Sequence, residues 1–111
     1  MLHNRNNRII YIDMDNVIVD FKSGLDKVSE EIKSQYKDDG TGKPHYDDIP
    51  GIFSLMEPMK DAVESIKAIA ETKHYQLYIL STAPWGNPSA WCDKLKWVKH
   101  YFDSDKEDGL F

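Results

Sequence analysis

Arg8-Ile-Ile-Tyr-Ile-Asp13 is a short, unbroken apolar run, rich in β-branched residues and ending on a carboxylate. An unbroken run, unlike an alternating one, predicts a strand covered on both faces, as in a parallel sheet. Phe21, Leu25, Val28, Ile32 and Tyr36 follow at steps of four, three, four and four, one stripe of an amphipathic helix. Residues 38–50 are rich in Asp, Gly, Pro and Lys and read as an exposed loop. Gly51–Met56 is apolar and reads as a short helix or turn. Pro58 is expected in the first turn of the next helix, where its missing N–H costs nothing. That helix would bury Ala62, Val63, Ile66, Ile69 and Ala70. Gln76-Leu-Tyr-Ile-Leu80 predicts a second buried strand, ending at Ser81-Thr82. Asn87 or Ser89 can cap a last helix whose stripe is Trp91, Leu95, Val98 and Phe102. The tail, Asp103 to Gly109, is charged and aperiodic.

Strands separated by helices predict an α/β fold, with parallel strands joined by right-handed crossovers. The stretch between the two strands far exceeds one crossover helix. A small helical insertion over about residues 21–57 is therefore expected on top of the sheet, between core segments 8–20 and 58–102. A chain of 111 residues is the size of one domain, so one core is expected over 1–111. Its 41% hydrophobic and 30% charged residues place it among globular chains. Lys and Arg number 14 against 19 Asp and Glu, a net charge of −5. That balance excludes non-specific binding to nucleic-acid polymers, which needs a basic surface to displace counterions. It leaves room for small phosphate compounds if a metal ion screens the site. Cys92 stands alone, so no internal disulfide is expected. The apolar run Ile9–Ile12 is too short for a signal-peptide core, and no run approaches the roughly 20 residues of a membrane span. A soluble, cytoplasmic protein is the expectation.

Ligands of open parallel sheets bind beyond the carboxyl ends of the strands. Both predicted strand ends are polar here: Asp13-Met14-Asp15-Asn16 after the first, Ser81-Thr82 after the second. Asp13 at a strand tip is held rigidly, and Asp15, two residues on, points to the same side if the extended geometry persists. Two such close carboxylates divide labour: one stays ionised as nucleophile or metal ligand while its neighbour handles protons. A D-x-D in an acidic chain is also a common solvated turn or helix cap. An EF-hand loop starting at Asp13 would want Gly sixth and Glu twelfth. Ile18 and Gly24 stand there instead. A metal-bound D-x-D of the glycosyltransferase kind stays open, though no sugar-nucleotide site accompanies it.

Ile10-Tyr-Ile-Asp-Met-Asp-Asn-Val-Ile-Val-Asp-Phe21 resembles the first motif of haloacid dehalogenase-like phosphohydrolases. More narrowly, the chain is similar to the 5′(3′)-deoxyribonucleotidases of the cytosolic type C. The similarity is carried by Gly51-Ile-Phe-Ser-Leu-Met-Glu-Pro-Met59, by Ala62-Val-Glu-Ser-Ile66, and by Tyr78-Ile-Leu-Ser-Thr-Ala-Pro-Trp-Gly-Asn-Pro-Ser-Ala-Trp91 running on to Phe102. It implies a Rossmann-like parallel sheet and a magnesium-dependent phosphomonoesterase acting on nucleoside monophosphates through an aspartyl-phosphate. Asp13 would be the nucleophile and a metal ligand. Asp15 would be the general acid and base, with its backbone carbonyl on the magnesium. Thr82, with Ser81 beside it, would hold a phosphate oxygen, and the N–H groups around Met14 and Ala83 would complete the cradle. The insertion would be a cap that selects the nucleoside, with Phe53 and Trp85 stacking on the base. Core packing is the competing reading of Phe53, and it is the reading taken for Trp91, Trp97 and Phe102. His45, His74 and His100 read as surface residues, and Cys92 as packed.

The family pattern also has a downstream lysine and an acidic pair after a further strand, neither of which falls within these 111 residues. Lys94, Lys96 and Lys99 read as surface residues, and Asp103, Asp105, Glu107 and Asp108 have no buried strand before them. The expectation is a shortened member lacking the C-terminal strands. Its apolar edge invites association into homo-oligomers. Two functional classes follow: a working phosphatase, or a catalytically incomplete remnant that binds phosphate, metal or another protein.

Overall fold

The computed structural model describes residues 8–102. In chain order the elements are β1 (Arg8–Asp13), β2 (Val19–Asp20), α1 (Phe21–Leu25), α2 (Glu30–Ser34), 3-10 helices at Tyr46–Asp48 and Ile52–Leu55, β3 (Glu57–Pro58), α3 (Ala62–Glu71), β4 (Tyr75–Leu80) and α4 (Ser89–Phe102). The charged tail beyond Phe102 lies outside the described residues. No helix among the described residues is long and apolar enough to cross a membrane.

The two unbroken apolar runs pair as parallel strands, β1 with β4, in a register running from Arg8 opposite Tyr75 to Asp13 opposite Leu80. With helices beside a small parallel sheet, the architecture is α/β. Leu77 is buried, and Ile10, Ile12 and Ile79 pack against the core. The opposite face is bare: Ile9, Tyr11, Tyr78 and Leu80 are exposed, with the Tyr11 and Tyr78 rings 5.8 Å apart across the strands. Burial on both faces is therefore corrected to burial on one. β-Branched and aromatic residues suit a pleated surface whether or not something covers it, so the run reported strand without reporting its cover.

The single helix expected from Phe21 to Tyr36 is two short ones. Its stripe breaks at residues 26–29, where the Ser29 side chain caps α2 by accepting the N–H of Ile32 at 3.2 Å. A Ser with a free N–H three residues on offers the chain a fresh start. Gly24 sits so close to Met56 that a Cβ there would lie 2.5 Å from its Cγ, which explains a glycine inside α1. Pro58 does not open the next helix. It pairs with Val19 in a two-residue antiparallel ladder, and Met59 N–H extends that ladder to the Ile18 carbonyl at 2.8 Å. An edge position of this kind tolerates proline's missing donor. α3 starts four residues after Pro58, following Asp61 in the left-handed region, and buries Ile66 with Ala62, Val63, Ile69 and Ala70 packed around it.

α4 is turned from its expected orientation. It buries Ala90, Lys94, Trp97 and Phe102, whereas Trp91 is 64% and Leu95 57% exposed. The side turned inward is the one that meets the insertion: Trp97 Nε1–H donates to the Met56 carbonyl at 2.9 Å. Of the three aromatics read as core, Trp97 and Phe102 are buried and Trp91 is not. Cys92, read as packed, is exposed. His74 and His100 are exposed as expected, whereas His45 is half-buried, its Nδ1 3.1 Å from Asp48 Oδ2 and its ring against Tyr36. Most of the 38–50 loop is exposed, with Ile49 buried beside the Tyr46–Asp48 turn.

Candidate active site

The parallel register sets the first polar residues after β1 beside those after β4. Asp13 closes β1 opposite Leu80, and just beyond the strands one lysine ammonium bonds both Asp15 and Ser81. After Asp15 the chain turns back tightly. The N–H groups of Val17, Ile18 and Val19 all point at the Met14 carbonyl, at 3.3, 3.0 and 3.0 Å. Asn16 takes φ 59° at the bend, a conformation that asparagine tolerates better than most residues. Buried Met14 anchors the loop from below.

Asp13 is exposed, and its Oδ1 accepts the Met14 N–H at 2.7 Å. Asp15 is half-buried. Its Oδ2 accepts from Lys94 Nζ at 3.1 Å, and its Oδ1 is buried without a partner. Lys94 itself is 5% exposed, which corrects the expectation of a surface lysine. A buried ammonium is tolerated only where its donors are taken up. Here all three are: Asp15 Oδ2, Ser81 Oγ at 2.8 Å and the Thr82 carbonyl. Its remaining side faces the Phe53 ring, with Nζ 4.5 Å from the centroid, in cation–π contact.

The structure thus brings Asp15, Ser81 and the Thr82 backbone together around one cation, a lysine expected from sequence to lie on the surface. The signal was weak but present: Ala90, Lys94 and Trp97 fall at steps of four and three, a second stripe with a lysine in its middle. Phe53 lies in the core, with the Phe21 ring edge-on at 6.0 Å and Lys94 against it. Trp85 is wholly exposed on the loop between β4 and α4, and Ala83 is half-buried against the core. Thr82 is exposed. No group of three or more metal-ligating side chains occurs among the described residues. Magnesium commonly uses only one or two carboxylates, with water and substrate phosphate completing its shell. The exposed Asp13 carboxylate fits that donor chemistry.

An ammonium and two carboxylates at the open ends of parallel strands form an arrangement that could take a phosphate ester. Sequence comparison points the same way. Over 84% of its length the chain is 50% identical to a protein of Vibrio phage KVP40 named "Putative 5'(3')-deoxyribonucleotidase". A protein of Acanthamoeba polyphaga mimivirus with the same description is 29% identical over 90% of the chain. The chain is a homologue of proteins so named. It spans about half the length of these curated relatives, 50% and 54% respectively. No family model matches the chain.

Proposed function

We propose that this chain carries the nucleophile side of a magnesium-dependent phosphomonoesterase of the 5′(3′)-deoxyribonucleotidase type, on a haloacid dehalogenase-like fold, with deoxynucleoside monophosphates as substrates. The observation that supports this most strongly is the buried Lys94 ammonium. It touches Asp15 and Ser81 and the backbone of Thr82, and Asp13 closes the strand two residues before Asp15. An anionic nucleophile approaches an anionic phosphate only where positive charge offsets their repulsion. Lys94 supplies one such charge from within the chain.

In this reading Asp13 attacks phosphorus, an Asp13 oxygen–phosphorus bond forms, and the bond to the nucleoside oxygen breaks. Asp15 gives its proton to that departing oxygen. It then takes a proton from the water that cleaves the aspartyl-phosphate, releasing inorganic phosphate and restoring both carboxyl groups. Thr82, Ser81 and the N–H groups of Met14 and Ala83 hold the phosphate oxygens. Asp13, with the Asp15 backbone carbonyl, would hold magnesium, which supplies further charge neutralisation to the phosphoryl oxygens. Trp85, free in solvent on the loop between β4 and α4, is the open aromatic surface for a base, whereas Phe53, 2% exposed, takes the competing core role. Action in the cytoplasm and self-association of the chain through the bare sheet face belong to the same reading.

The test is phosphate release from deoxynucleoside monophosphates with and without magnesium, for the wild type, Asp13→Asn and Asp15→Asn. Asp13→Asn should abolish turnover, and Asp15→Asn should lower kcat by about 10²–10⁴-fold. Turnover that survives Asp13→Asn overturns the nucleophile assignment. The buried Lys94 ammonium between Ser81 and Thr82 also suits one second reading, a module that binds phosphate without hydrolysing it. Saturable phosphate binding that is lost in Lys94→Gln, with no turnover under any divalent metal, would select it.

A further inference from the structure

Asn87 is 1% exposed, the most deeply buried polar side chain among the described residues outside the site. Both its amide protons are used across the fold: Nδ2 donates to the Asp47 carbonyl at 2.9 Å and to the Ile49 carbonyl at 3.0 Å. Its Oδ1 accepts the Ser89 hydroxyl at 2.6 Å, and Ser89 Oγ in turn accepts the Gly51 N–H at 3.0 Å. Gly86 completes the join, because a Cβ there would lie 2.9 Å from the Asp48 carboxylate. Residues 47–51 of the insertion are thus fastened to the segment that starts α4, where Ala90 N–H bonds the Asn87 carbonyl at 3.0 Å. Further along α4, Trp97 fastens the other end of the same stretch through the Met56 carbonyl. Between the two fastenings lie Phe53 on the insertion and Lys94 on α4, in contact.

We infer that Asn87 is a positioning residue for Lys94. By fixing residues 47–51 against the start of α4, it keeps the Phe53 ring beneath the ammonium. The ammonium is thereby aimed at Asp15 and the residues after β4. Lys94 has a long, flexible stem with large rotamer freedom. Its four contacts come from three separate elements, so their mutual placement decides where the charge sits. Removing the Asn87 amide leaves two buried carbonyls without their donor, which favours separation of the insertion from α4. This assignment rests on the proposed phosphate role only for its consequence in binding; the placement of Lys94 can be read without it.

The experiment labels lysines in the folded 111-residue chain by reductive methylation and follows each by peptide mass spectrometry. In the wild type, Lys94 should react at least about tenfold more slowly than Lys96 and Lys99, as a group reached only through local opening does. In Asn87→Asp, which keeps the size but turns donors into acceptors facing two carbonyls, Lys94 labelling should approach that of its neighbours. Ser89→Ala should shift it partway, and Ser89→Thr, which retains the hydroxyl, should restore it. Ile66→Ala, a core truncation in α3, controls for general loss of stability and should leave Lys94 slow in the folded fraction. Lys94 remaining slow in folded Asn87→Asp and Ser89→Ala overturns the assignment, as does equal release by Ile66→Ala. Inorganic phosphate titrated into the same proteins separates the two proposals. Weakened binding in Asn87→Asp supports both, whereas released Lys94 with no phosphate binding even in the wild type leaves the positioning role standing and removes the phosphate reading.

Discussion

The two flanks of α4 look alike in sequence and differ in the folded chain. One carries Ala90, Lys94 and Trp97, the other Trp91, Leu95 and Val98. Hydropathy alone favours burial of the second, which has no charge. Yet the first is buried, and the second borders an open groove of about 730 Å³ along β4, with Leu77, Ile79 and Tyr78 on its other wall. The difference lies in what each flank meets. The insertion offers the first flank a carbonyl for Trp97, an aromatic face for Lys94 and the fastening at Asn87. An apolar stripe reports what a helix would gain from cover; polar groups that can be satisfied in only one arrangement decide which side is covered.

Breaking the covered flank should have the largest effect. Phe53 fills the space between Phe21 and Lys94, so Phe53→Ala should cost about 3–5 kcal/mol, measured by urea denaturation. For a domain of this size that is a large share of its total stability. Trp97→Phe keeps most of the volume and removes one donor, leaving the buried Met56 carbonyl unpaired. Its expected cost is about 1–3 kcal/mol. On the open flank, Trp91→Ser should stay within about 0.5 kcal/mol of the wild type in the same experiment. A cost at Trp91 as large as that at Trp97 would show that the open flank is covered in solution, and would erase the contrast.

These contrasts mark how far the fold and site could be read from residues alone. β1 and β4 are legible because unbroken β-branched runs have few other uses; their register, Arg8 opposite Tyr75, is seen only in the structure. The D-x-D at Asp13 and the Ser81-Thr82 pair were legible as polar residues closing apolar strands. The pairing of Val19 with Pro58 was not, since two residues carry no periodicity and the ladder depends on where the insertion returns. Lys94 was missed for a related reason. A lysine within a helix has solvent as its default surroundings, and only the meeting of α4, the insertion and the two strand ends gives it four partners. Local pattern offers Asn87 only as an alternative to Ser89 for capping the last helix, whereas its amide reaches across some 40 residues of chain, to Asp47 and Ile49. Local pattern reports elements; it does not report which distant carbonyls will lack a donor.

The smallest effect sharpens the same comparison within the insertion, between its fastened end at residues 47–51 and its free end at residues 38–42. At the free end the bonds are local. Asp38 Oδ1 accepts the N–H groups of Gly40 and Gly42, and Asp39 Oδ1 accepts the N–H and hydroxyl of Thr41. The Thr41 hydroxyl, followed by its N–H, holds the Asp39 carboxyl below the ordinary carboxylate range. A carboxyl lowered on folding stabilises the folded chain above its unfolded value, and that contribution fades as pH falls through the folded value. Thr41→Ala should therefore move the Asp39 titration, followed by NMR, up toward the usual range and trim stability slightly at neutral pH. Because nothing at this end reaches Lys94, the methylation rate of Lys94 should not change. A Thr41→Ala chain that released Lys94 as Asn87→Asp does would mean that the insertion moves as one piece, and that its fastening is not confined to the end that touches α4.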